Sequence, residues 1–217
     1  MIKAVLFDLD GTLVNSLDDL ATSTNYALEK FGFPKHETEK YKYFVGNGMQ
    51  NLIMRALPED GRDSETREKV FKAFWNHYAE HYVDKTVPYE GIEELLKALK
   101  EDGKKIAIIS NKAQEMAVTV AEKIFGDIFD MICGKQDGYP AKPDPSLTLK
   151  VMEDIGVKPC ECVLIGDSGM DAAAAVNAKC TGIGVLWGFR TEDELRSNGA
   201  KYIVSKPAEI MDILKNI

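Results

Sequence analysis

Residues 4–14 read AVLFDLDGTLV, and the rest of the chain is organised around this stretch. The run Lys3–Phe7 is short and apolar and stops at Asp8. This is the pattern of a buried parallel strand whose carboxyl end faces a site. Asp8 and Asp10 follow two residues apart, and Gly11-Thr12 permits a turn. Taken alone, Asp-x-Asp-Gly is also a common turn sequence. Ser16 then predicts the start of a helix, with Asp18 and Asp19 placed to favour its dipole. The apolar face of that helix is Leu17, Leu20, Ala21, Thr24, Leu28 and Phe31, and Gly32 with Pro34 ends it.

Further along, helices are expected at Met49–Leu57 and Glu65–Tyr82. The second carries an aromatic stripe of Phe71, Phe74, Trp75, Tyr78 and Tyr82 together with Val70, which reads as packing. From Pro88 the texture becomes regular alternation. Helix Ile92–Glu101 precedes strand Lys105–Ile109, and helix Ala113–Phe125 precedes strand Phe129–Cys133. Helix Ser146–Ile155 leads to strand Cys162–Ile165, and helix Met170–Ala178 to strand Gly182–Leu186. A helix over 191–198 opens with Thr191 and Glu194 at capping-box spacing. Strand Tyr202–Val204 and a helix from Pro207 complete the chain. Such alternation predicts an α/β fold, a Rossmann-like parallel sheet with helices on both faces. A single crossover needs only about 30 residues, whereas the first two strands are separated by far more. Residues 16–84 therefore read as an inserted α-helical domain, and 1–15 with 85–217 as a discontinuous core.

Composition bounds the function. The chain has 217 residues, 27 basic and 35 acidic, for a net charge of −8. That balance disfavours a general nucleic-acid or anionic-membrane binder. No apolar run is long enough to span a membrane, and the N-terminal run is too short for a signal peptide. Cys133, Cys160, Cys162 and Cys180 read as reduced thiols of a cytoplasmic protein. The three histidines, His36, His77 and His81, all fall in the helical insert. None is therefore available on a core strand end to activate a serine or cysteine nucleophile. No Gly-x-Gly-x-x-Gly follows the first strand, so a dinucleotide site is not expected.

Four strand ends carry chemically suggestive residues: Asp8 to Thr12, Ser110-Asn111-Lys112, Lys142-Pro143-Asp144-Pro145, and Gly166 to Asp171. Strand ends of a parallel sheet collect along one edge, where open α/β folds bind ligands. Asp8, Asp10, Asp167 and Asp171 are expected to meet there and to repel one another unless a hard dication intervenes. An all-oxygen shell favours Mg²⁺. Lys142 and the Ser110-Asn111 pair suit a phosphoryl group. Asp8 then serves as nucleophile and Asp10 as acid and base.

These residues resemble the haloacid dehalogenase superfamily of phosphohydrolases over essentially the whole chain. Phe7-Asp8-Leu9-Asp10-Gly11-Thr12-Leu13 is similar to its first motif, Ser110 to its second, Lys142 to its third, and Gly166-Asp167-Ser168 with Asp171 to its fourth. The resemblance implies a phospho-aspartate on Asp8, Asp10 as acid/base, and a phosphoryl group held by Ser110 and Lys142. It further implies Mg²⁺ on Asp8, the Asp10 carbonyl and Asp167, with Asp171 close by, and a helical cap over 16–84. The stretch Val45-Gly46-Asn47-Gly48, with Leu52 and Arg55-Ala56-Leu57, is similar to phosphoglycolate phosphatases. So is Trp187-Gly188-Phe189-Arg190. Asn47 and Arg55 thus become candidate substrate contacts. The expected partner is a small phosphorylated metabolite, and the expected state is a monomer or weak homodimer. Pyrophosphatase or broad sugar or nucleotide phosphatase activity is the alternative, then a β-phosphoglucomutase-like mutase, which Gly166 disfavours by standing where those enzymes carry an acid. A regulatory module that binds a phosphometabolite without turnover is the non-enzyme alternative.

Overall fold

Four apolar residues, Ala4–Phe7, form β1, and all four are fully buried. The computed structural model describes residues 1–45 and 48–217. Strand β1 lies inside a six-stranded parallel sheet of order β5-β4-β1-β6-β7-β8. The chain first builds outward through β4 and β5, then returns past β1 to add β6, β7 and β8. The order therefore reverses beside β1, and loops at such a switch point diverge to leave a crevice.

In chain order, β2 (Val14–Asn15) is followed by helices α1 (Leu17–Lys30), α2 (Tyr41–Phe44), α3 (Met49–Ala56) and α4 (Ser64–His81). Then come β3 (Val87–Pro88), α5 (Ile92–Glu101), β4 (Lys105–Ala113), α6 (Gln114–Phe125) and β5 (Met131–Lys135). The chain continues with α7 (Ser146–Asp154), β6 (Cys162–Gly166), α8 (Gly169–Asn177), β7 (Thr181–Val185), α9 (Glu192–Ser197), β8 (Tyr202–Val204) and α10 (Ala208–Lys215). Among the described residues no helix is long and apolar enough to cross a membrane.

The period of two along each strand divides the sheet between two cores. Ala4, Leu6, Ala107, Ile109, Cys162 and Leu164 pack with Val151, Met152 and Ile155 near α7 and with Ala174 and Ala175 of α8. The intervening Val5, Phe7, Ile106, Ile108, Val163 and Ile165 point to the opposite face and are equally buried. That face belongs to α5 and α6, as right-handed crossovers through β4 and β5 require.

The chain divides into two compact units, Met1–Asn15 with Pro88–Ile217, and Ser16–Val87. Within the helical unit α1 packs on α4, burying Leu20, Ala21 and Leu28 of the one and Val70, Phe74 and Tyr78 of the other. Phe31 departs from the expected apolar face and is 40% exposed, because it lies one position past the helix end. Ser16 precedes α1 but makes no side-chain cap. Asp19, expected only to favour the helix dipole, is buried and accepts three bonds. These come from the backbone N–H of Lys85 (3.0 Å) and Thr86 (2.9 Å) and from the Thr86 hydroxyl (2.7 Å). The first and last turns of the unit are thereby tied to each other. In the core unit the Tyr89 N–H donates to the Leu13 carbonyl at 3.1 Å.

Strand limits differ from expectation most in β5 and β4. β5 spans Met131–Lys135 rather than Phe129–Cys133, and β4 runs on to Ala113 rather than stopping at Ile109. The extension contains a bulge: between paired positions β4 advances from Ile109 to Ala113 while β5 advances only from Cys133 to Lys135. Bulges re-aim side chains, and this one carries Ser110, Asn111 and Lys112.

Asp19→Ala leaves two backbone N–H groups without their acceptor and the Thr86 hydroxyl with only the Tyr82 carbonyl at 3.3 Å. Charge-assisted bonds are worth about 1.5–3 kcal/mol each, non-additively. We expect the helical unit to lose roughly 2–4 kcal/mol in equilibrium urea unfolding. A loss under about 0.5 kcal/mol would show that the tie contributes nothing.

Candidate active site

The register of β1 sets the site. Phe7 pairs with Ile108 on one side and Ile165 on the other, so the next residues of three adjacent strands, Asp8, Ile109 and Gly166, come level. Beyond them lie Ser110 and Asp167. The Asp8 N–H is held by the Ile165 carbonyl at 2.8 Å. After Asp8 the chain turns tightly: the Leu9 carbonyl accepts from Leu13 (3.0 Å) and Val14 (3.1 Å), and the Gly11 N–H donates to the Val14 carbonyl (2.8 Å). Gly11 has φ +88°, and a Cβ there would stand 2.4 Å from Asp167 Oδ2. Glycine is required at 11 both for the backbone conformation and for the approach of that carboxylate.

Asp8, Asp167 and Asp171 each offer an oxygen, and these atoms lie within 4.8 Å of one another. Lys142 is the cation among them. Its buried Nζ donates to Asp8 Oδ1 (2.7 Å), Asp171 Oδ1 (2.6 Å) and the Ile109 carbonyl (2.7 Å), which uses all three ammonium protons. Asp8 is the open member: its side chain is 12% exposed, against 4% for Lys142 and 3% for Asp171. The electrostatics follow from burial. Loss of solvent raises the Asp8 carboxyl to about 7, and Asp171 and Asp10 add to that rise while Lys142 opposes it. Asp167 is pushed well above the usual carboxylate range by burial and by its two carboxylate neighbours. Burial works against the Lys142 ammonium, yet Asp171 and Asp8 hold its pKa above the ordinary lysine value. Such a buried, acid-rich set fits a divalent cation, which would stabilise every charge that burial penalises.

Supporting residues fix each acid. Asp167 accepts from the Phe189 N–H (2.8 Å) and the Thr12 hydroxyl (3.4 Å), and the Thr12 carbonyl in turn holds Trp187 Nε1 at 2.9 Å. Asp171 Oδ2 accepts from the Ser168 N–H (3.1 Å) and hydroxyl (2.6 Å), forming the capping box of α8. Gly166 packs directly on Asp171, whose Cβ would be 2.2 Å from a Cβ at 166. An acid at 166, as the mutase alternative requires, cannot be accommodated without displacing Asp171.

Several expectations change here. Asp10 does not join the carboxylate cluster through its side chain. Both of its oxygens are 3.2 Å from the Nζ of Lys112, which is fully buried. Asn111, expected to offer its backbone amide beside Ser110 to a phosphoryl group, has its side chain committed elsewhere. It is paired with the backbone of Lys142, accepting from the N–H (2.8 Å) and donating to the carbonyl (3.3 Å). Its action on the site is thus to place the lysine. Ser110 is buried, and its Oγ accepts from the Lys112 N–H at 3.2 Å, so its own proton is left to donate. In the helical unit, Arg55 donates to the carbonyls of Phe44 (3.0 Å) and Val45 (3.4 Å), as a staple between α2 and α3. Asn47 lies outside the described residues. Glu194 forms no reciprocal box with Thr191; it accepts from the Gly169 N–H (3.1 Å) and pairs with Arg190 (3.4 Å), tying α9 to the start of α8.

Lys112, Tyr89 and the Trp187–Phe189 turn were not singled out from the sequence for these contacts. The Tyr89 phenol is raised by burial and then by Asp167 and Asp10, which places it in the field of the site. The Ser-Asn-Lys run at a strand end was the available signal for Lys112. Only the bulge in β4 turns that lysine inward.

Known proteins agree with this arrangement. A phosphoglycolate phosphatase from Chromobacterium violaceum is 36% identical over 219 residues, covering 99% of this chain and 97% of its own length. Another, from Aquifex aeolicus, is 30% identical over 216 residues, with 99% and 98% covered. A crystal structure from Lactobacillus delbrueckii subsp. bulgaricus, of a protein provisionally named phosphoglycolate phosphatase, superposes with a TM-score of 0.92. It shares 32% identity, with 98% of each chain covered. Residues 5–185, which include Asp8, Asp10, Ser110, Lys112, Lys142, Asp167 and Asp171, match the haloacid dehalogenase-like hydrolase family, and the chain belongs to that family.

Proposed function

We propose that this chain is a Mg²⁺-dependent phosphatase that hydrolyses a small phosphate monoester, 2-phosphoglycolate foremost, through a phospho-aspartate. One observation carries the reading. Asp8 is the least buried member of a buried acid–lysine cluster, and beside it stands a second acid, Asp10, paired with its own lysine. The Asp8 carboxylate attacks phosphorus and forms an acyl phosphate while the bond to the leaving alkoxide breaks. Asp10 gives the leaving oxygen its proton and then takes one from the water that attacks the acyl phosphate, releasing inorganic phosphate and restoring Asp8. The Ser110 hydroxyl donates to the phosphoryl oxygens, and Lys142 supplies positive charge there, its proton to Asp8 passing to the phosphoryl group as the Asp8 carboxylate is consumed. Lys112 holds the Asp10 carboxylate in one orientation between the two proton transfers.

Mg²⁺, held by Asp8, Asp167 and the Asp10 carbonyl with Asp171 adding charge beside them, would supply neutralisation of both the acids and the substrate phosphate. The helical unit takes the role of the cap and selects the substrate. The names of the relatives support phosphoglycolate as that substrate.

Asp8→Asn should fold normally and lose at least about 10³-fold in kcat, in keeping with removal of a covalent nucleophile. Activity should vanish in EDTA and return with Mg²⁺. In a phosphate-release screen over phosphoglycolate, pyrophosphate, sugar phosphates and nucleotides, phosphoglycolate should rank first by kcat/KM. A flat ranking would indicate a generalist.

Lys112→Met should lower kcat by about 10–10³-fold with KM little changed, since it frees the acid/base without touching the phosphoryl holders. A change in KM alone would transfer Lys112 to substrate binding.

The raised Asp8 and Asp167 carboxyls make metal-free stability depend on pH. Between the ordinary carboxylate value and the folded one, the native state binds more protons than the unfolded state, so stability falls as pH rises through that window. The gap in Tm between Mg²⁺-loaded and chelated protein should therefore widen from about pH 5 to pH 7.5. A gap independent of pH would mean that the acids do not hold the cation.

A further inference from the structure

The proposed chemistry uses no histidine, yet two of the three histidines are arranged for a task of their own. His77 and His81 stand four residues apart on α4, the spacing that puts two side chains on one helix face. Their ring centroids are 4.4 Å apart, and Tyr26 stacks on His77 at 4.3 Å. Each ring has its Nδ1 engaged. His77 Nδ1 meets the Ser23 hydroxyl at 3.0 Å, and His81 Nδ1 meets Asp84 Oδ2 at 2.7 Å. Neither Nε2 makes a hydrogen bond among the described residues.

A carboxylate or hydroxyl on one nitrogen of an imidazole fixes the tautomer and ring orientation and leaves the other nitrogen with its lone pair free to bind a metal. Here that arrangement occurs on two neighbouring rings. Asp84 accepts the His81 Nδ1 proton, and the Ser23 hydroxyl can accept the one from His77. Burial, and then the neighbouring His81, lower the His77 pKa.

We propose that the Nε2 atoms of His77 and His81 form a chelating site for a borderline transition-metal dication of the Zn²⁺ type, with Asp84 and Ser23 orienting the two rings. The site is chemically distinct from the carboxylate cluster. Two imidazoles select borderline metals, whereas the all-oxygen cluster suits Mg²⁺. Water completes the coordination on the solvent side, where His81 and Asp84 are about half exposed.

The test is an NMR titration of the full chain, ¹⁵N-labelled at histidine, with Zn²⁺ in saturating Mg²⁺. A Cys160→Ser background removes the exposed thiol, which would compete for zinc. Reading the imidazole nitrogens separates this site from zinc bound elsewhere. The expected result is a saturable change in both the His77 and His81 Nε2 resonances with one shared affinity. His36, whose Nε2 contacts the Ala56 carbonyl at 2.8 Å, should not respond. In His81→Ala the His77 response should require at least about tenfold more zinc. Asp84→Asn should weaken binding by about 10–100-fold, as loss of an orienting carboxylate does. The proposal is overturned if neither Nε2 responds, if Nδ1 is the nitrogen that responds, or if either substitution leaves the affinity unchanged.

Discussion

Three carboxylates within 4.8 Å of one another, with one ammonium among them, form the constraint on which the rest of the core depends. At that spacing like charges repel by roughly 3–4 kcal/mol per pair for an effective dielectric of about 20. Lys142 offsets one of the three charges, and a dication matches the two that remain. The surroundings keep the group together against its own repulsion. Asn111 locks the Lys142 backbone, Ser168 grips Asp171, and Phe189 with Thr12 holds Asp167. Side-chain-free positions at Gly11 and Gly166 let these acids lie directly against the main chain. The arrangement is pre-strained electrostatically and pre-organised sterically, the combination that phosphoryl transfer needs.

The two lysines divide the work. Lys142 sits where negative charge is densest, and all three of its protons are used. Lys112 is fully buried but paired with Asp10, whose side chain is 17% exposed. One lysine therefore belongs to the proposed nucleophile and one to the proposed proton carrier. In the proposed mechanism this separation lets Asp10 exchange protons without loosening the cluster around Asp8.

Much of this was legible in the sequence, for a physical reason. A parallel strand reads as an apolar run, and its end reads as the first polar residue, so Asp8, Ser110 and Asp167 were locatable from composition along the chain. What could not be read was anything set by register or by long-range pairing. The bulge in β4 inserts extra residues between two paired positions without marking them, and it alone turns Lys112 toward Asp10. Asn111 meets a backbone segment 31 residues away, a pairing that no local pattern encodes. Asp19 resembled any acid in a first helical turn until Lys85 and Thr86 arrived from the far end of the unit. Arg55, a candidate substrate contact by similarity, donates to the Phe44 and Val45 carbonyls, a pairing that its local pattern does not announce. Sequence pattern located the chemistry; the choice of partner for each polar group came from the tertiary fold.

The clasp made by Asp19 with Lys85 and Thr86, and its counterpart between Leu13 and Tyr89, bear on how such a molecule diversifies. An inserted segment that fastens its own beginning to its own end presents the host sheet with two neighbouring attachment points instead of a long gap. Insertions of this kind are tolerated because the host's folding does not wait on theirs. The helical segment is in effect a cassette. Its sequence can be rewritten, or the whole segment exchanged, while the strands that lead to Asp8 and Asp167 keep their register. One catalytic chassis can in this way acquire many specificities.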